Sequence, residues 1–311
     1  MLSRRQFVTR ASAAGLALSV APLAGATARP RTARPFRDDR FQELRRGVGI
    51  FSERGGTIGY LATGDGLIMV DTQFPESARA CYDGLDARTP DRATPIHLLV
   101  NTHHHGDHTA GNAALAGLAV RHVAHEAVPG LQRAAAVRGG YAEGQVYARE
   151  TYSETWSADV GDETLTLHYY GPAHTAGDSV VHFERADVVH MGDLVFNRMP
   201  SFIDLPAGAT TEGWMGLLQS VHDDFSDETL FIFGHGHPEY GVTGTRADLL
   251  VMRDFLGDLR EFVDAGLAAG MDENAMVEAS ASHAAFDSHR FEGWPQGIPN
   301  GVRAVAEEMQ R

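Results

Sequence analysis

Apolar residues in this chain fall into short runs broken by Gly, Asp and Pro. Helical spacing takes over only towards the C-terminus. Runs at 57–61 and 67–70 flank the turn Thr63-Gly64-Asp65-Gly66 and predict a hairpin, with Asp71 closing its second strand. A helical stretch over 76–85 then leads to a strand at 96–100. Further strands are predicted at 164–169, 179–183 and 188–191, punctuated by Gly and Asp. Helices return at 212–221 and at 246–263, where Leu249, Met252, Leu256, Leu259 and Val263 recur at helical intervals. Strands interleaved with helices, and polar residues gathered at strand ends, predict an α/β sandwich whose site lies along one edge.

The chemistry stands at those strand ends. Directly after the run at 96–100 comes Asn101-Thr102-His103-His104-His105-Gly106-Asp107-His108. In extended backbone alternate side chains share a face, so His103 and His105 can grip one cation. Asp107 and His108, beyond the flexible Gly106, then turn towards a second. Imidazole and carboxylate are ligands that Zn(II) accepts, and a packed core has no use for this combination. Three later strand ends repeat the theme: His174 in a Gly/Pro loop, Asp193 in Met191-Gly192-Asp193, and His235 in Gly234-His235-Gly236. Glycines on both sides of His235 allow close approach of the backbone. His237 is an alternative to His235 at this point, and His104, alternating away from its neighbours, is expected at the pocket rim or behind the ligands. The remaining histidines have no matching spacing and are expected to be structural.

At 311 residues and 43% hydrophobic the chain can build a substantial core. The start changes this picture. Arg4-Arg5 precede an apolar run over 11–23 that is short and rich in Ala and Gly, followed by small-x-small sites at 24–26 and 26–28. This predicts a twin-arginine export signal over 1–28, a periplasmic destination, and no stable membrane span after cleavage. A linker is expected at 29–46, a main domain at 47–240, and a helical extension at 241–311 packed on the same domain. The formal charge of -15 becomes more negative when that signal leaves, because it holds arginines and no acids. Nucleic acid is therefore excluded as a partner, since its binding requires many cations against phosphates. A small molecule is the expected substrate, and the oligomeric state is left open. Cys81, the single cysteine, allows no internal disulfide and reads as a small buried hydrophobe.

His103-x-His105-x-Asp107-His108, with His174, Asp193 and His235 following in order, resembles the pattern of the metallo-β-lactamase superfamily over about 55–238. The resemblance implies a four-layer αβ/βα sandwich of two mixed sheets, followed here by C-terminal helices. It implies a first metal on His103, His105 and His174, a second on Asp107, His108 and His235, and Asp193 bridging them. Asp71 is implied to orient ligands from behind. Two zinc ions are expected, with iron or a mixed pair as alternatives. Such a pair can hold a bridging hydroxide at neutral pH, with Asp107 as the catalytic carboxylate, and hydrolysis of an ester, thioester or lactone-like bond follows.

Branches of the family differ at the bridge. Strict β-lactamases often place Lys shortly after the second-site ligand, whereas this chain continues Asp193-Leu194-Val195-Phe196-Asn197-Arg198 and resembles glyoxalase II-like and lactonase-like hydrolases. Arg198 is a candidate for holding an anionic substrate, and Phe202 a candidate for one pocket wall. Only 41 residues separate Asp193 from His235, too few for the nuclease branch's inserted domain. One departure is Phe233, where the family commonly has Pro before Gly-His-Gly. The competing functions are a periplasmic β-lactamase, an iron-dependent sulfur oxygenase and a non-catalytic metal-binding protein.

Overall fold

The computed structural model describes residues 38–88, 95–139 and 144–311. The expected export signal and the first part of the expected linker lie outside them. Two large sheets carry the architecture. The first runs, in spatial order, β1 (Phe41–Arg45), β2 (Val48–Phe51), β3 (Ile58–Ala62), β4 (Leu67–Val70), β5 (Ile96–Asn101), β6 (Ala119–His125) and β7 (Glu150–Tyr152). Strands β1 to β4 form an antiparallel meander, and β4 to β7 pair in parallel. The second sheet has the order β15 (Thr243–Gly244), β13 (Leu230–Ile232), β11 (Val188–His190), β10 (Val180–Phe183), β9 (Glu163–His168) and β8 (Thr155–Val160). A separate parallel pair joins β12 (Phe196–Asn197) to β14 (His235–Gly236).

The helices are α1 (Pro75–Arg88), α2 (Gly106–Thr109), α3 (Asn112–Leu115), α4 (Val128–Val137), α5 (Thr211–Asp224), α6 (Arg246–Ala268), α7 (Glu273–Ser280) and α8 (Ile298–Met309). No helix among the described residues is long and apolar enough to cross a membrane.

Side-chain alternation sorts the layers. In β4, Ile68 and Val70 face the second sheet, where they meet Leu165, Leu167, Val181 and Phe183 in the central core. Leu67 and Met69 face outward onto Ala78, Cys81 and Leu85 of α1. The outer face of the second sheet packs Val180, Val189 and Phe231 against Trp214 of α5, Leu249 and Leu256 of α6, and Val302 and Val305 of α8. Helices, sheet, sheet, helices: the four-layer αβ/βα sandwich is present. Helix α6 starts where its sequence dictates, because Thr245 and Asp248 form a capping box that satisfies the first free N–H groups.

One expectation on organisation needs adjustment. The end of the expected linker, 41–45, is the edge strand β1, held by pairing to β2, and its half-buried and exposed residues suit a sheet margin. The C-terminal helices share one core with α5 and the second sheet.

Candidate metal centre

Strands β4, β5 and β11 and the β12–β14 pair end at the same edge, and their ends supply the site. Backbone after β5 bends at 102–104, is extended at His105 (φ -63°, ψ 149°) and then coils into α2, so the cluster is half bend, half helical turn. His103, His105, His174 and Asp193 place one donor atom each within 4.8 Å of one another, and Asp107, His108 and His235 do the same beside them. Asp193 stands between the two sets. One carboxylate oxygen, Oδ2, lies 3.7 Å from both His103 Nε2 and His174 Nε2 and 3.4 Å from His235 Nε2. The other, Oδ1, lies 2.9 Å from His108 Nε2. His235 Nε2 is also 3.2 Å from Asp107 Oδ2.

The back of each ring decides what its front can do. The Thr102 hydroxyl donates to Asp71 Oδ2 at 2.7 Å, so its oxygen accepts the His103 Nδ1 proton at 3.0 Å. His174 Nδ1–H donates to the Phe202 carbonyl at 2.8 Å, His105 Nε2–H to Asp204 Oδ2 at 3.0 Å, and His108 Nδ1–H to Asp71 Oδ2 at 2.7 Å. Three facing nitrogens, His103 Nε2, His105 Nδ1 and His174 Nε2, therefore carry lone pairs, and His105 Nδ1 sits 3.0 Å from each of the others. Lone pairs so arranged repel unless a cation lies among them. His108 Nε2 and Asp193 Oδ1 are buried side by side, 2.9 Å apart, with no further hydrogen-bond partner for either. This donor set fits divalent metal.

Backbone shape supports the same conclusion. A Cβ at Gly56 would stand 2.1 Å from the His108 ring, and one at Gly234 would stand 2.0 Å from Asp193 Oδ1. Only glycine lets these loops close on the ligands. Asp71 takes a left-handed φ of 65°, and its carboxylate accepts from Thr102 N–H at 2.8 Å besides the two bonds above. It is the orienting residue behind two ligands.

Charge in the metal-free chain follows burial and neighbours. Burial, reinforced by nearby histidines, pushes His103 well below its usual value and His174 down to about 3, so both stay neutral. Burial opposes charge on His108 too, but Asp193, Asp71 and Asp107 outweigh it and hold His108 well above the usual range. Burial opposes charge on His235 as well, but Asp193 and Asp107 overcome it and raise His235 to about 9. Against burial, His108 and His235 hold Asp193 well below the carboxylate range and Asp107 at about 2.

Above the ligands opens a cavity of about 290 Å³. Asp107 and Asp193 lie at its floor, and Phe196, Phe202, Trp294 and Gln296 line it together with His105 and His235. Phe202 thus stands where the sequence placed it. Arg198 does not, as it takes φ 56° and turns to Asp248 Oδ1 at 3.5 Å and the Tyr240 ring, outside the cavity lining. Of the two places expected for His104, rim or behind the ligands, it takes the second: its side chain is buried, with Nε2 3.5 Å from the Asp204 carboxylate that also holds His105. His237 is directed to Glu239 N–H and the Phe291 ring, which leaves His235 as the histidine facing Asp107. Trp294 and Gln296 went unread in the sequence as site residues. An aromatic in the Gly/Pro-rich loop before α8 was the available signal.

A sequence profile described as the Metallo-beta-lactamase superfamily matches residues 52–237. The chain belongs to that superfamily. Metallo-beta-lactamase-fold neighbours among solved structures include the enzyme from Pontibacter korlensis (18% identity, 70% of this chain and 98% of that one, TM-score 0.59). Another is the inverting sec-alkylsulfatase Pisa1 from Pseudomonas sp. (16% identity, 86% of this chain and 50% of that one, TM-score 0.65). Identities this low speak for the shared fold alone. In sequence the chain is 30% identical over 177 residues to the 2,4-dinitroanisole O-demethylase subunit alpha of Nocardioides sp. (strain JS1661). That alignment takes in 55% of this chain and 49% of the demethylase subunit, so the chain spans about half the length of this curated relative.

Proposed function

We propose that the protein is a dinuclear zinc hydrolase of ester-type or lactone-like bonds, exported to the periplasm by its twin-arginine segment. The observation that carries the reading is the set of donor atoms gathered around Asp193: three facing imidazole nitrogens free of protons on one side, and Asp107, His108 and His235 clustered on the other. His103, His105 and His174 would hold one ion, Asp107, His108 and His235 the other, and Asp193 both. Two bound ions supply a water acidic enough to attack at neutral pH and an electrophile for the substrate's carbonyl oxygen.

The chain's own residues supply the rest. Asp107 stays ionised over the whole working range and borders the cavity, so its carboxylate is placed to orient the attacking water and take its proton. Phe196, Phe202 and Trp294 exclude bulk water from one side of the reacting bond. No arginine lines the cavity among the described residues, which weighs against a β-lactam carboxylate anchored on a guanidinium. A second reading has one specific support, the likeness to a dinitroanisole O-demethylase subunit: water would attack the ether-bearing ring carbon, releasing a phenol and methanol.

The test is metal analysis joined to turnover. Purified protein should carry about two zinc ions per chain and hydrolyse a panel of aryl and alkyl esters and lactones. Asp107→Ala should lower kcat by roughly 10²–10⁴-fold, the contribution of a positioned base. Zinc-loaded protein inert on esters, lactones and 2,4-dinitroanisole, with no effect of Asp107→Ala, would overturn the proposal. Iron in place of zinc would turn attention to oxygen chemistry. Export is read by fusing residues 1–28 to a reporter that acts only after twin-arginine transport.

A further inference from the structure

The ligands all fall within the segment that matches the family, but one wall of the cavity does not. Trp294 and Gln296 come from the loop before α8, well beyond residue 237 where the match ends. Trp294 is not a loose cover. Its indole N–H donates to the Pro200 carbonyl at 2.9 Å, and its ring packs 5.3 Å from His235 and 6.5 Å from both Phe196 and Phe291. Anchoring at the indole nitrogen fixes the plane of the ring at the cavity wall.

Phe202 presents a second ring to the cavity, steadied because its own carbonyl is tied to His174 and its ring lies 5.2 Å from His105. Outside the ligand set, Gln296 is the polar side chain that lines the cavity, and it carries no charge. Arg198, close in sequence to Phe196 and Phe202, is engaged by Asp248 and Tyr240, and Arg290, four residues before Trp294, is engaged by Asp287 and the Ser280 and His283 carbonyls. A volume of about 290 Å³ falls at the small end of ligand pockets.

Resting on the hydrolase reading above, we propose that the cavity selects small uncharged substrates bearing an aryl group, and that Trp294 and Gln296 set this selection. Flat aromatic walls reward a ring by offset or edge contacts that a puckered aliphatic ring of equal size cannot match. Gln296 offers both donor and acceptor to a neutral polar substituent on the ring, where a carboxylate at that position would find no arginine to replace its lost hydration.

Benzyl acetate and cyclohexylmethyl acetate separate ring character from size while keeping the acyl group constant. Each takes up water to give acetic acid and its alcohol. Zinc-loaded wild type should prefer the benzyl ester by about tenfold in kcat/KM, the scale of an aromatic contact. It should disfavour 4-carboxybenzyl acetate. Trp294→Ala should abolish the preference, mainly through KM, with zinc content unchanged, and Trp294→Phe should restore much of it. Gln296→Leu should lower kcat/KM for 4-acetamidobenzyl acetate by more than it does for benzyl acetate.

If no ester is turned over, the hydrolase reading fails, but the selection is still decided by calorimetry of benzyl alcohol against cyclohexylmethanol on the zinc-loaded protein. Equal treatment of the two rings, preference for the carboxylate, or a Trp294→Ala variant that folds, holds zinc and keeps the preference would overturn the proposal. Should Trp294→Ala not fold, Trp294→Leu, which keeps bulk without the flat face, makes the same discrimination.

Discussion

Asp71 is the residue on which two ligands depend. Its carboxylate accepts three hydrogen bonds, from Thr102 N–H, the Thr102 hydroxyl and His108 Nδ1–H, and it has no exposure to water. Asparagine tolerates the same left-handed backbone, so Asp71→Asn isolates the chemistry from the fold. The amide can still accept from Thr102 N–H through its oxygen, but its NH₂ then faces two donors and leaves the His108 proton without a partner. Loss of a ligand's outer partner typically costs 10- to 100-fold in metal affinity, so chelator competition should show the ion at His108 released about that much more readily. Unchanged retention of both ions in the folded variant would mean His108 is held by packing alone. Arg198 teaches the complementary lesson. Its distance along the chain from Asp193 suggested a substrate anchor, but a left-handed φ, which no local pattern announces, turns it to Asp248.

At the scale of elements, strands were legible where both faces are buried. Leu67-Ile68-Met69-Val70 is a continuous apolar run because it packs on α1 and on the second sheet at once. Strand β6 was missed because His122 and His125 interrupt its apolar residues, and β8 because it is an edge strand with alternate exposed positions. His122 is a polar knot rather than an error of design. Its Nε2–H donates to Asn101 Oδ1 at 2.7 Å, and Asn101 and Asn112 bond reciprocally at 2.8 and 3.2 Å, tying β6 to β5 and α3 beneath the metal loop.

Burial, with help from Arg149, lowers His122 to about 4. Unfolded, this histidine takes up its proton near 6.5, so between about 6.5 and 4 the unfolded state binds more protons than the folded one. Its contribution is complete above pH 6.5, shrinks as pH falls towards 4, and changes no further below. The full shift corresponds to roughly 3 kcal/mol. Chemical denaturation from pH 7.5 to 4.5 should show this loss, and His122→Gln should flatten that part of the slope. An identical slope in the variant would assign the loss to other histidines.

For the whole molecule, the division into a family domain and an appended extension dissolves on folding. The ligands were legible because their spacing is local and each sits at a strand end. Trp294 and Gln296 were not, because only the packing of α8 onto α6 brings their loop to the cavity, and α8 carries Pro299, Asn300 and Gly301 in its first turn, which disguise its amphipathic face. That same packing predicts what deletion does. Phe286, Ile298, Val302 and Val305 are buried to 4% exposure or less against α5 and α6, and each such side chain is worth about 1.5–3 kcal/mol of transfer free energy. Their sum is comparable to the whole stability of a typical domain, about 5–15 kcal/mol. A chain ending at Ala269 should therefore lose its cooperative thermal transition, whereas Trp294→Ala should melt cooperatively within a few degrees of wild type. A truncated chain that melts as sharply as the full one would show that the core closes without α8, and the cavity wall would then be an accessory laid over a finished domain.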